Sequence, residues 1–191
     1  MNAATNLAHT RPGSAMTRNV VNFVAFQLGW FACVLGAAHA YPWLGVWVAI
    51  VIVAGNIAWS ARPFAEAGFI ALALLAGAAW ETLLLASGAL QYPAGSLVPG
   101  LPPPWILALW ALFASTLNVS LGWLQGRWLL AAVLGGLSGP ASYWAGARLG
   151  ALNIVDPLVF VLMLAAGWAV LTPALLALAR RLSGQTLRGA Q

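Results

Sequence analysis

A chain of 191 residues with 62% hydrophobic and only 6% charged side chains, at a mean hydropathy of +0.89, cannot cover a water-facing surface. Its outer face must meet lipid, which excludes an ordinary soluble domain. The net charge of +5 comes from arginines scattered between apolar runs rather than gathered on one face, so nucleic acid is not expected as a partner.

Residues 1–18, "MNAATNLAHTRPGSAMTR", are small, polar and basic and read as a flexible tail. Six apolar runs follow, at about 19–40, 42–60, 67–90, 104–124, 128–149 and 155–180. Each is near the roughly 20 residues that a helix needs to cross hydrocarbon. Backbone groups in lipid must be satisfied internally, so these runs are helices rather than strands. "AYPW" at 40–43 makes the first two an antiparallel hairpin, and "SARPF" at 60–64 turns the chain again. The segment 91–104, "QYPAGSLVPGLPPP", is the only substantial loop; "QGR" at 125–127 and "ALNIVDP" at 151–157 make the remaining turns. Residues 181–191 form a short basic tail. The fold class is an all-α, polytopic transmembrane bundle of six helices.

Arginine placement sets the threading. With six crossings and a cytoplasmic N-terminus, Arg11, Arg18, Arg62, Arg127, Arg180, Arg181 and Arg188 fall on the cytoplasmic side, leaving Arg148 opposite. Both termini are therefore expected in the cytoplasm of a bacterial inner-membrane, multi-pass protein. "AHA" at 38–40 after an apolar run imitates a signal-peptide cleavage site, but the run is too long and contains Asn22, Gln27 and Trp30.

Chemistry-bearing residues are sparse. Cys33 is the only cysteine, and His9, His39, Glu66, Glu81 and Asp156 stand far apart in sequence. No metal site or cofactor is expected, and no phosphate loop or nucleophile elbow is present. Among the 11 tryptophans, Trp30, Trp80, Trp110 and Trp168 fall deep in their runs, where they could line a cavity; the rest suit an interfacial belt.

Glu81 stands in "FIALALLAGAAWETLLLASGAL", a run with no other charge. An acid near a helix centre costs about 2.5–3.5 kcal/mol on insertion scales, so it is expected to face the bundle interior and find a partner. At 1.5 Å per residue, Glu81 and Tyr143 both lie roughly 21–22 Å above the cytoplasmic edge, and Arg148 sits at the outer edge, within reach of both. Two states follow for Glu81: a neutral acid donating a hydrogen bond, or a carboxylate paired with Arg148. A lower level holds Gln27, Asn56 and Asn118, each roughly 10–12 Å above the edge. Amides at such depth commonly join helices, at about 0.6 kcal/mol each. Gly77, Glu81 and Gly88 share a face of the third helix, and Gly135, Gly139 and Tyr143 share one of the fifth, which Pro140 should kink beside a small cavity.

The blocks "NFVAFQLGWFACVLGAA" (22–38), "WETLLLASGAL" (80–90), "PPWILALWALFASTLNVSLGWLQGR" (103–127) and "GPASYWAGARLGA" (139–151) resemble the bacterial membrane family filed as domain of unknown function 2878. The likeness covers residues 19–180 and brings no established activity; it implies a lipid context. A looser, compositional likeness joins the chain to tryptophan-rich sensory proteins of the translocator type, which have five helices rather than six.

Three functions remain open. An enzyme or accessory in lipid metabolism would use Glu81 as general acid or base, Tyr143 as donor and Arg148 as anion anchor. A binder or carrier of a lipophilic small molecule would bind it with Gln27, Asn56, Trp80 and Asn118 as candidate contacts. A structural subunit would use the same polar residues to hold helices together or to meet another membrane protein. Membrane lipids are partners in every case.

Overall fold

The computed structural model describes residues 12–184. Arg11, Arg188 and most of the two expected tails lie outside the described residues. Six helices run in chain order: α1 (Pro12–Ala38), α2 (Pro42–Ala58), α3 (Pro63–Ala86), α4 (Pro104–Leu117), α5 (Trp128–Arg148) and α6 (Pro157–Leu182). Helices α2, α3, α4 and α6 each open on a proline, whose fixed φ suits the first turn and whose missing N–H costs nothing there. Asp156 caps α6, its Oδ1 accepting from the backbone N–H groups of Leu158 at 3.0 Å and Val159 at 3.1 Å. Gly88 and Gly150, at φ of 72° and 91°, turn the chain out of α3 and α5.

Helices α1, α3 and α6 are long and apolar enough to cross a membrane. The expected fourth run, 104–124, is not one helix. At 14 residues α4 covers about 21 Å, short of a hydrocarbon core of about 30 Å. Its polar end explains the stop. Thr116 turns its carbonyl to the N–H groups of Val119 and Leu121, and Gln125 Nε2 donates to the Leu117 carbonyl at 2.9 Å. A short 3-10 turn, 122–124, then leads to α5. Helix α5 runs unbroken through Pro140 to Arg148.

The loops sort to two ends. At one end, β1 (Leu90–Gln91) pairs antiparallel with β2 (Asn153–Ile154), Leu90 opposite Ile154, tying the α3–α4 loop to the α5–α6 loop. At the other end Arg62 donates to the Ser183 carbonyl at 3.1 Å, and Arg18 shares a small cavity with Arg62 and Ser183. The chain thus traverses the bundle with each helix. The described arginines other than Arg148 collect at the end that holds the start of α1 and the close of α6.

Packing follows small residues. Gly45 lets α2 touch α1 so closely that an added Cβ would stand 2.3 Å from Cys33 Cα. Gly135 does the same for α5 on α6, with the Trp168 carbonyl 2.5 Å from its would-be Cβ. Helix α1 packs on α2 and α4, α5 packs chiefly on α6, and α1 and α5 barely touch. That missing contact creates the site.

Candidate functional site

Glu81 is completely buried in α3. Its Oε1 accepts from the Tyr143 hydroxyl of α5 and from Trp110 Nε1 of α4 at 2.8 Å. Its Oε2 accepts from the Tyr92 hydroxyl at 2.6 Å. The inward orientation and the meeting with Tyr143 follow from the shared depth of the two residues. Arg148 departs from the expectation: it is exposed at the last residue of α5, and among the described residues no ion pair or hydrogen bond joins it to Glu81. Three neutral donors occupy the carboxyl group in its place, an arrangement that solvates an acid without importing a second charge.

Tyr92 and Trp110 are the members that sequence reasoning missed. Tyr92 lies in the α3–α4 loop, whose fold carries it back into the bundle, buried and edge-on to Trp105 at 5.4 Å. Loop residues have no periodicity, so nothing in the local sequence gives Tyr92 a depth. Trp110 had a signal: it is deep in its run and carries an N–H that needs an acceptor when buried.

Glycine seats the aromatic wall. At Gly77, on the same face as Glu81, an added Cβ would meet the Trp110 ring at 2.4 Å. At Gly139 it would meet Trp168 at 2.3 Å. Trp110 and Trp168 stack with centroids 4.9 Å apart, and Phe113 stands edge-on to Trp168 at 5.1 Å. Gly88, expected on this packing face, instead serves the turn. The vacancies at Gly77 and Gly139 are filled by rings rather than by a neighbouring backbone. Gly77→Ala should push Trp110 off Glu81, costing about 1–3 kcal/mol by overpacking, with a red-shifted tryptophan emission that Gly68→Ala, in open space, does not show.

Beside this wall, between α1, α4, α5 and α6, is a cavity of about 440 Å³. Trp30, Trp110, Phe113 and Trp168 give it an aromatic lining, Gln27, Ser138, Ser142 and Tyr143 supply polar groups, and no charged residue lines it. Phe23 and Phe31, both about half exposed, stand at its mouth, where α1 and α5 are apart. One hydrogen bond spans the gap, Trp30 Nε1 donating to Ser142 Oγ at 3.0 Å. Tyr143 and Trp110 belong to both the cavity wall and the Glu81 cluster and link the two, Tyr143 through its hydroxyl.

The expected amide level is built differently. Gln27 lines the cavity and does not join the other amides. Asn56 Nδ2 donates to Glu66 Oε1 at 3.3 Å, and Asn118 Nδ2 donates to Oε2 at 2.9 Å. Asn22 donates to Asn56 Oδ1 at 3.2 Å and to the Ser115 carbonyl at 3.1 Å, and accepts from the Ser120 hydroxyl at 2.6 Å. The network therefore centres on Asn22 and Glu66, and Asn118 stands at the end of α4 because the helix stops at Leu117. Trp80, a candidate ligand contact, packs instead over Gly167 of α6, away from the cavity lining. Among the described residues no cluster of His, Cys, Asp or Glu could hold a metal ion.

No curated protein and no solved structure matches the chain. The four sequence blocks, helices α2 to α5 and the polar residues Asn22, Gln27, Glu66, Glu81, Asn118 and Tyr143 all lie within residues 19–174, the span matched by one family model, which also takes in most of α1 and α6. The chain belongs to the family described as "Protein of unknown function (DUF2878)".

Proposed function

We propose that this chain is a multi-pass protein of the bacterial inner membrane, with cytoplasmic termini, that holds a lipophilic small molecule in the cavity beside Tyr143 and serves lipid metabolism. The observation that carries the reading is the cavity itself. Its roughly 440 Å³ lie in the size range of small-molecule sites, its lining is mostly apolar, and a few polar side chains converge on it. A hydrocarbon-soluble molecule gains little by leaving lipid for an apolar wall, so those polar groups must supply the selectivity. Glu81 has no exposed surface of its own, so any proton it exchanges with a bound molecule passes through the Tyr143 hydroxyl. Arg148 has no place in this scheme.

A photoreactive alkyl alcohol tests the reading in lipid nanodiscs. Labelling of cavity positions such as Phe26 and Phe113 should saturate and be competed by unlabelled alcohol, while labelling at exposed Leu129 should not. Uniform, unsaturable labelling would overturn the proposal.

A second reading is favoured by the Glu81 geometry. Its three donors come from α4, α5 and the α3–α4 loop, so the carboxyl group joins three parts of the fold to α3. A structural subunit that meets another membrane protein needs no more than this clamp. Glu81→Gln separates the two readings: saturable labelling lost from a folded variant favours the binding site, whereas intact labelling with lowered stability favours the clamp.

The threading carries its own prediction. Reporter fusions after Arg62, Arg127 and Arg188 should score cytoplasmic, and fusions at Ser96 and Asn153 should score on the opposite side. Segregation of the described arginines to one end supports this orientation. A non-cytoplasmic C-terminus would defeat it.

A further inference from the structure

Resting on the binding reading above, we infer that the cavity selects an uncharged, single-chain amphiphile, whose polar head lies between Gln27 of α1 and Ser138 of α5 and which enters from the bilayer between those helices.

Shape gives the single chain. On α4 the lining residues Ile106, Leu109, Trp110, Phe113 and Thr116 recur at helical spacing along one face. From Ile106 to Thr116 that face covers about 15 Å at 1.5 Å per residue. An elongated cavity of about 440 Å³ along such a face suits a single extended hydrocarbon chain.

Electrostatics gives the neutral head. Among the described residues no arginine or lysine lines the cavity to balance an anion. A carboxylate head would therefore be desolvated without a partner, while a cationic head would find the Glu81 carboxyl group behind Tyr143 already occupied by three donors.

Unspent hydrogen bonds place the head. Thr116 Oγ1 donates to the Phe113 carbonyl, Ser120 to Asn22, Trp30 to Ser142, and Tyr143 to Glu81. Gln27 and Ser138 line the cavity, as does Trp168 with its buried Nε1, and none of the three is engaged in a side-chain hydrogen bond within the described residues; of these, Gln27 and Ser138 flank the gap between α1 and α5. An amide and a hydroxyl offer both donors and acceptors, which suits an alcohol, ester, aldehyde or amide. The route follows from the helix gap: α1 and α5 barely touch, half-exposed Phe23 and Phe31 flank the opening, and the Trp30–Ser142 hydrogen bond spans it.

Competition against the photoreactive alcohol tests the inference. Unlabelled straight-chain alcohol should displace it at least tenfold better than the carboxylate of equal length at alkaline pH, and two-chain phosphatidylethanolamine should not displace it. Gln27→Leu should weaken the alcohol about tenfold yet leave displacement by the matching alkane unchanged, a split that general misfolding does not produce. Equal competition by alcohol and carboxylate, or by the two-chain lipid, would overturn the inference while leaving the binding site standing. An absence of saturable labelling would remove the binding reading, and this inference with it.

Discussion

Replacing Glu81 by alanine should destabilise the fold by about 3–5 kcal/mol, the largest effect of any single substitution in the bundle. The reason is the number of groups stranded. Tyr143, Tyr92 and Trp110, all buried, each lose the acceptor toward which they are turned. An ordinary interhelical hydrogen bond between neutral groups contributes only about 0.6 kcal/mol, because partners are found in the unfolded membrane state too. A carboxyl group with three converging donors is not ordinary in that sense. Glu81→Gln keeps the shape but sets an amide N–H₂ against a donor, and should cost about 1–3 kcal/mol. Arg148→Ala should change stability by less than about 0.5 kcal/mol, since that side chain is exposed and Glu81 makes no bond to it. Reversible unfolding in mixed detergent micelles measures all three. An Arg148→Ala variant as damaged as Glu81→Ala would mean that the acid is ion-paired after all.

The second large effect is expected at Asn22. Its amide holds together Ser115 within α4, Ser120 just after it, and Asn56 of α2, while Asn56 and Asn118 in turn satisfy Glu66 of α3. Asn22→Leu should cost about 2–3 kcal/mol, because it leaves the Ser120 hydroxyl and the Asn56 oxygen without their buried partner. Asn118→Leu, at a less buried position, should cost less, on the order of 1 kcal/mol. Because the bonds form one network, the double variant Asn22→Leu/Glu66→Leu should lose less than the sum of the single losses. Strict additivity would show that the two residues act separately, and would remove the network as a unit of stability.

Much of this could be read from the chain alone. A chain so poor in charge and so rich in apolar runs can only be a bundle of helices with an apolar outer face. The expected runs 42–60 and 155–180 match α2 and α6 to within two residues at each end, whereas α3 spans Pro63–Ala86 rather than 67–90, because Pro63 opens it and Gly88 turns the chain out of it. The inward face of Glu81 and its level with Tyr143 were legible for a similar reason: the cost of exposing an acid to lipid fixes its side, and a constant helical rise fixes its depth.

Tertiary structure decided the rest. The stop of α4 at Leu117 depends on Gln125 reaching back to a carbonyl, a contact between residues on separate elements. That stop moves Asn118 to the bundle's end and lets Glu66, which precedes the expected third run and stands far from the other acids in sequence, become a centre of the amide network. Tyr92 reaches Glu81 only because the loop is pinned by the Leu90–Ile154 pairing and folds inward. Arg148 was assigned to the site by its reach, but reach sets only a limit, and three neutral donors meet the need of the acid with less desolvation. The cavity was legible only in its lining, through the deep tryptophans Trp30, Trp110 and Trp168, and not in its place or shape. It exists because α1 and α5 are each held by other helices and not by one another, and that is a property of packing, not of any single segment.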